Sequence, residues 1–231
     1  MSVVQQVGFD GGQGTSAAIT IGASTAGNTI IVASQGGAGA SGAPTDNLGT
    51  TWPASTLVVS GSPIFMAVWV LQNCPAGITT ITVHQNDPCG WVAEENGVLA
   101  TSLDQFASQQ FTGTAVTSGN TATLSQANEV SYGFAANNNN ITYTAGSGWS
   151  AAAFTNQGGS GTTVVGNQEN TAFGPNILFI ERQVVTSTAA LAATMTQVGG
   201  GLNGAAIITL MQGSVAAPVV SSLSAFGIGP G

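Results

Sequence analysis

The stretch Ile64-Phe65-Met66-Ala67-Val68-Trp69-Val70-Leu71 is wholly apolar, Cys74-Pro75-Ala76-Gly77 reads as a tight reversal, and Thr79-Thr80-Ile81-Thr82-Val83 is a β-branched run. Branched and aromatic side chains fit a pleated, half-buried surface, whereas Pro and Gly punctuate it. Two strands joined by a turn are therefore expected here. The same rhythm extends in both directions. Thirty-three glycines and many Asn and Thr residues interrupt the chain every few positions, and no lysine is present. Short β-prone runs recur between those breaks with almost no helical periodicity, which predicts an all-β sandwich or barrel. Strands are expected near residues 17–22, 29–34, 51–59, 64–71, 79–85, 90–96, 121–125, 129–135, 141–144, 151–155, 162–169, 177–184, 189–195 and 205–211. Asp46-Asn47-Leu48-Gly49 is an Asx-type turn and Asn137-Asn138-Asn139-Asn140 a four-asparagine tip.

Composition narrows the function. Of 231 residues, 43% are hydrophobic and 4% charged, with nine acids, the single cation Arg182 and a formal net charge of −8. A folded monomer of 22.8 kDa exposes roughly 9,600 Å², so its charges are sparse and its surface must be wetted by Ser, Thr, Asn and Gln or covered by other subunits. One arginine cannot neutralise a row of phosphates or anionic lipids, so neither nucleic acid nor membrane is an expected partner. No apolar run reaches the length of a membrane-spanning helix. The start, Met1-Ser2-Val3-Val4-Gln5-Gln6, lacks the pattern of a secretory signal.

Chemistry is sparse. His84 is the sole imidazole and sits at a strand end, and no Gly-x-Ser-x-Gly elbow is present. Glu94 and Glu95 are adjacent on one strand and so point to opposite faces, which disqualifies them as a facing glycosidase pair. Pairing Glu95 with a distant acid such as Glu169 has no local support, and a buried carboxylate near Arg182 is the plainer account. Glu181 and Arg182 diverge for the same reason, so Arg182 must find another acid, and a structural ion pair is expected. Cys74 and Cys89 are either free and buried or joined in one bridge. No metal or other cofactor is expected: zinc lacks ligands, and turn chemistry accounts for Asp10-Gly11-Gly12-Gln13-Gly14 and Asp46-Asn47 without calcium. Gly36-Gly37-Ala38-Gly39 lacks the lysine of a phosphate loop. Trp69 reads as core, while Trp52 and Trp149 follow glycine-containing turns and are expected as the exposed pair. With Asn138 and Asn139 they are the candidate glycan-binding residues.

The succession Asn28-Thr29-Ile30-Ile31-Val32-Ala33, Thr45-Asp46-Asn47-Leu48-Gly49-Thr50-Thr51-Trp52, Met66-Ala67-Val68-Trp69-Val70, Ala76-Gly77-Ile78-Thr79-Thr80-Ile81-Thr82-Val83, Val92-Ala93-Glu94-Glu95-Asn96-Gly97 and Leu103-Asp104, continued by Gly146-Ser147-Gly148-Trp149, resembles the concanavalin-like, jelly-roll β-sandwich domain of tailed-phage structural proteins. The resemblance covers roughly residues 16–212. Residues 1–15 read as an N-terminal arm. Residues 213–231, by their uncharged apolar composition, read as an extended C-terminal arm in which the chain departs from typical members. The resemblance itself implies a two-sheet antiparallel jelly-roll sandwich. It also implies a binding or assembly role and no enzymatic one: a bacteriophage capsid decoration protein, or alternatively a tail- or fibre-associated receptor- or glycan-binding module. The expected partners are the major capsid protein and copies of the chain itself, as a homotrimer. Its expected place is the outer capsid surface after synthesis in the bacterial cytoplasm. Val215, Val219, Val220, Leu223, Phe226 and Ile228 would be the docking contacts of the C-terminal arm.

Overall fold

The computed structural model describes residues 1–37, 42–54, 57–61, 64–139, 141–157, 160–169 and 176–213. The described part is all β. Its first half contains β1 (Ser2–Asp10), β2 (Ala17–Thr20), β3 (Thr29–Gly36), β4 (Thr45–Asp46), β5 (Leu57–Gly61), β6 (Ile64–Leu71), β7 (Thr80–Val83) and β8 (Cys89–Asn96). The second half contains β9 (Val98–Thr112), β10 (Ala115–Thr117), β11 (Glu129–Asn137), β12 (Tyr143–Ala145), β13 (Ser150–Ala151), β14 (Ala153–Gln157), β15 (Ser160–Val165), β16 (Asn167–Glu169), β17 (Ile177–Val185), β18 (Thr194–Gln197) and β19 (Leu202–Gln212).

The pairing is nested, as in a long hairpin rolled up on itself. In the first half β1 pairs with β8, β2 with β7 and β3 with β6, all antiparallel. The second half repeats the scheme, with β9 on β19, β10 on β18 and β11 on β17. Each half thus has jelly-roll connectivity. The order β1-β8-β3-β6 in the seven-stranded sheet matches β9-β19-β11-β17 in the six-stranded one, and the three-stranded sheets β2-β7-β4 and β10-β18-β12 match as well. The sequence carries a faint echo of this duplication. Ala18-Ile19-Thr20-Ile21-Gly22 corresponds to Ala115-Val116-Thr117-Ser118-Gly119, and Thr80-Ile81-Thr82-Val83 to Thr194-Met195-Thr196-Gln197, with the second and fourth residue of each last pair buried. One residue, Gly97, joins the halves, and its φ of +69° is a conformation that glycine adopts without the penalty a side chain brings.

Four layers follow, because each large sheet is covered on both faces. The central core lies between the large sheets and contains Ile31, Val68, Trp91, Tyr132, Phe134, Ile180 and Ile208. A second core lies under β2-β7-β4, with Ile19, Ile30, Trp69, Ile81 and Val92, and a third under β10-β18-β12, with Val116, Tyr143, Phe179, Met195 and Ile207. A strand buried on both faces needs no polar side, which is why β6 is apolar throughout. Tight stacking leaves its mark at Gly90, where a Cβ would lie 2.2 Å from the Ala33 carbonyl oxygen and 2.6 Å from the Phe9 ring. Gly90→Ala is therefore expected to lower the denaturation midpoint clearly, because backbone on one side and an aromatic ring on the other must both yield; an unchanged midpoint would contradict this packing.

Several expectations need correcting. Residues 2–10 do not form an arm: β1 sits between β8 and β14, antiparallel to the former and parallel to the latter. Its glutamines suggest exposure, yet Gln5 Nε2 donates to Glu94 Oε2 at 2.6 Å and Gln6 Nε2 donates to the Ala153 carbonyl. The longest strand, β9, lies where no strand was expected, since its Ser, Thr and Gln residues hide the pattern. Residues 121–125 are not a strand. Residues 51–54 are loop, as are residues 189–193 of the expected strand 189–195. The C-terminal arm lies outside the described residues, beginning just beyond Gly213, whose N–H donates to the Gly97 carbonyl at 2.9 Å.

Candidate functional site

Trp52 and Trp149 do not form an exposed platform. Only 6% of Trp52 and 9% of Trp149 are exposed, in the second and third cores respectively. Trp52 Nε1 donates to Asp46 Oδ2 at 2.8 Å, while Asp46 Oδ1 accepts from the N–H groups of Leu48 (2.9 Å) and Thr50 (3.1 Å). Burial pushes the Asp46 carboxyl up, but these donors outweigh it and hold the group below its ordinary value. Its oxygens thus serve the turn and the indole. Asn138 is half-buried, and Asn139 is exposed with its N–H on Asn137 Oδ1 at 2.7 Å. The side chain of Glu169 and the six arm residues Val215, Val219, Val220, Leu223, Phe226 and Ile228 lie outside what is described.

His84 is half-buried, with Nε2 3.1 Å from Thr45 Oγ1. Cys74 and Cys89 are free and buried, and they belong to different cores. Burial, reinforced by the nearby Glu94 charge, pushes the Cys74 thiol up to about 11, so it stays protonated and unreactive at neutral pH.

Glu94 and Glu95 diverge as alternation requires, and both are fully buried. Glu94 accepts from Gln5 Nε2, Thr25 N–H (2.8 Å) and Asn28 Nδ2 (2.6 Å), a set that ties β1 and the turn before β3 to β8. Glu95 points the other way, into the central core. Its Oε1 accepts from Tyr132 Oη at 2.5 Å and from Arg182 Nε at 2.9 Å. Arg182 Nε also lies 3.3 Å from Tyr132 Oη, and its Cζ is 5.8 Å from the Tyr132 ring centre. The sole cation of the chain thus forms the ion pair the sequence asks for, bridging the two large sheets. Tyr132 is the member that sequence reading misses. It stands directly opposite Arg182 in the β11–β17 register, which no local signal reveals.

Arg182 is 23% exposed at one side of this cluster. There it lines an open cleft of about 350 Å³ with Val3, Gln6, Ser150, Ala153 and Gln183, where β13 leaves one large sheet and β14 enters the other.

Two further acids are buried without a cation. Burial pushes Glu181 up to about 8, although its Oε2 accepts from the Gly146 N–H at 3.0 Å. Burial, with the charge of Asp104 adding to it, pushes Glu129 up to about 7. Their ordinary value is 4.5, so between that pH and their folded values the native state holds protons that the unfolded chain has released. This contribution to stability is complete below pH 4.5 and is lost as pH rises through 7 and 8. The urea midpoint is expected to fall from about pH 5 to about pH 8.5, and Glu181→Gln to flatten the upper part of that slope. A midpoint independent of pH over this interval would show that neither carboxyl is protonated in the fold.

Fold and site together define a class: a duplicated, four-layer jelly-roll protein with one buried arginine–glutamate–tyrosine cluster opening on a cleft. No protein-family model, no curated protein and no solved structure matches the chain.

Proposed function

We propose that the chain is a non-enzymatic structural protein of a bacteriophage virion, a capsid decoration protein that stabilises the head by burial between subunits. The observation that carries this reading is electrostatic. Among the described residues no charged side chain is fully exposed: Glu94, Glu95, Glu129 and Glu181 are buried, and Asp10, Asp46, Asp87, Asp104 and Arg182 are half-buried. Fixed surface charge opposes close approach, and among the described residues it is confined to a few half-buried groups, so most of that surface carries none. The uncharged amide- and hydroxyl-rich surface between those groups can be covered without the cost of desolvating ions. An interface of about 1,600 Å² is standard for a stable contact, and many copies add avidity.

The partners would be the major capsid protein and further copies of the chain, as a trimer, with residues 215–231 as the docking arm. The test is the copy number in purified virions together with capsid occupancy after deleting residues 215–231. Hundreds of copies, lost on truncation, are expected. A handful of copies would instead assign the chain to a tail or fibre, and unchanged occupancy would remove the arm from the account. Because no exposed ion pair is found among the described residues, raising salt from about 0.05 to 0.5 M is expected not to weaken self-association, as read by sedimentation. Dissociation at the higher salt would contradict the neutral-surface argument.

A further inference from the structure

We propose that the cleft beside Arg182 is a binding site for a carboxylate-bearing sugar of about one pyranose ring. The inference starts from how the guanidinium is held. An arginine offers five N–H donors, and the Nε donor alone serves the buried pair Glu95 and Tyr132. Among the described residues no hydrogen bond uses either Nη nitrogen. The partners of Nε are fully buried while Arg182 lines the cleft, so the Nη pair is the part of the fork left to the open side. A planar pair of donors with a fixed orientation matches a carboxylate in bidentate fashion. Glu95 and Tyr132 supply the rigidity such a fork needs, because neither can move without opening the central core.

Charge limits the ligand. Arg182 is already compensated by Glu95 and the chain is otherwise acidic, so a single negative charge fits better than a phosphate dianion. Size limits it further. About 350 Å³ is at the lower end for small-molecule sites, enough for one ring. The walls suit a sugar. Val3 and Ala153 offer apolar contact for ring C–H groups, whereas Ser150, directly opposite Arg182 in the β13–β17 register, offers a hydroxyl for ring hydroxyls. Gln6 keeps its Oε1 free of the contact its Nε2 makes with Ala153. A peptide would instead require a run of main-chain partners. The site is independent of the assembly reading and survives if that reading fails.

The test uses the full-length chain labelled with ¹⁵N-arginine, whose Nε–H gives one signal because only one arginine exists. D-Galacturonate, D-galactose and acetate are titrated separately, with calorimetry in parallel. Galacturonate is expected to shift the signal saturably with a Kd of about 1 mM, as one ion pair and a few hydrogen bonds support. Galactose and acetate should each bind at least about tenfold more weakly. Ser150→Trp, at an exposed edge position, should block binding while the Nε–H signal stays in place, which shows the Glu95 contact intact. Equal binding of galactose would overturn the carboxylate assignment, and equal binding of acetate the sugar. No saturable shift at tens of millimolar galacturonate, or unchanged binding in Ser150→Trp, would overturn the site.

Discussion

Arg182→Met is expected to destabilise the fold by about 3–5 kcal/mol, because it strands a fully buried carboxylate. Glu95 has no exposed surface, and its Oε2 finds no partner among the described residues. Without the guanidinium, the Tyr132 hydroxyl remains its sole hydrogen-bond donor there. An ion pair in the interior gains little over apolar packing, but half of one is costly. The double variant Arg182→Met with Glu95→Met should therefore recover most of the loss. Chemical denaturation of the two variants and the parent measures this directly. A single variant that loses less than about 1 kcal/mol would mean that Glu95 reaches water or a proton by another route.

Trp91→Ala is expected to cost about 3–5 kcal/mol, the range for a large aromatic residue removed from a close-packed interior. Trp91 is fully buried on β8, between Gly8 of β1 and Ala33 of β3. Its ring centre lies 5.2 Å from that of Tyr132 and 6.2 Å from that of Phe134, so it joins the two large sheets across the central core. The indole N–H has no partner among the described residues, so Trp91→Phe forfeits volume but no hydrogen bond and should cost much less than the alanine change. Trp91 also props the tyrosine that holds Glu95, so Trp91→Ala and Arg182→Met should couple, with a combined loss that departs from their sum. Strict additivity in a double-mutant cycle would mean that the ring does not position the ion pair.

The strand content was legible wherever composition and pattern agreed. Residues 64–71 read as a strand because every side chain there is apolar, and both faces of β6 are indeed covered. Opposite orientation of Glu94 and Glu95 follows from the pleat alone, and so does the need of Arg182 for an acid other than Glu181. Position-by-position polarity misled in two places. Gln5 and Gln6 make residues 2–10 look solvated, although their amides are paired within the protein. Trp52 and Trp149 look exposed beside their turns, yet each caps a core under a small sheet.

Local chemistry was enough to predict the all-β character that the described residues show, the scarcity of charge and the single cation that must be paired. Those properties depend on residue type and on a two-residue period, which neighbouring positions carry between them. Which acid pairs with Arg182 is another matter. Glu95 is 87 positions away, and the two meet because a nested pairing scheme, used twice, stacks β8 over β17. The same stacking brings in Tyr132 and opens the cleft at the seam. Strand partners and register are set by burial summed over whole sheets, so no short segment holds that information, and the site exists only once the layers have closed.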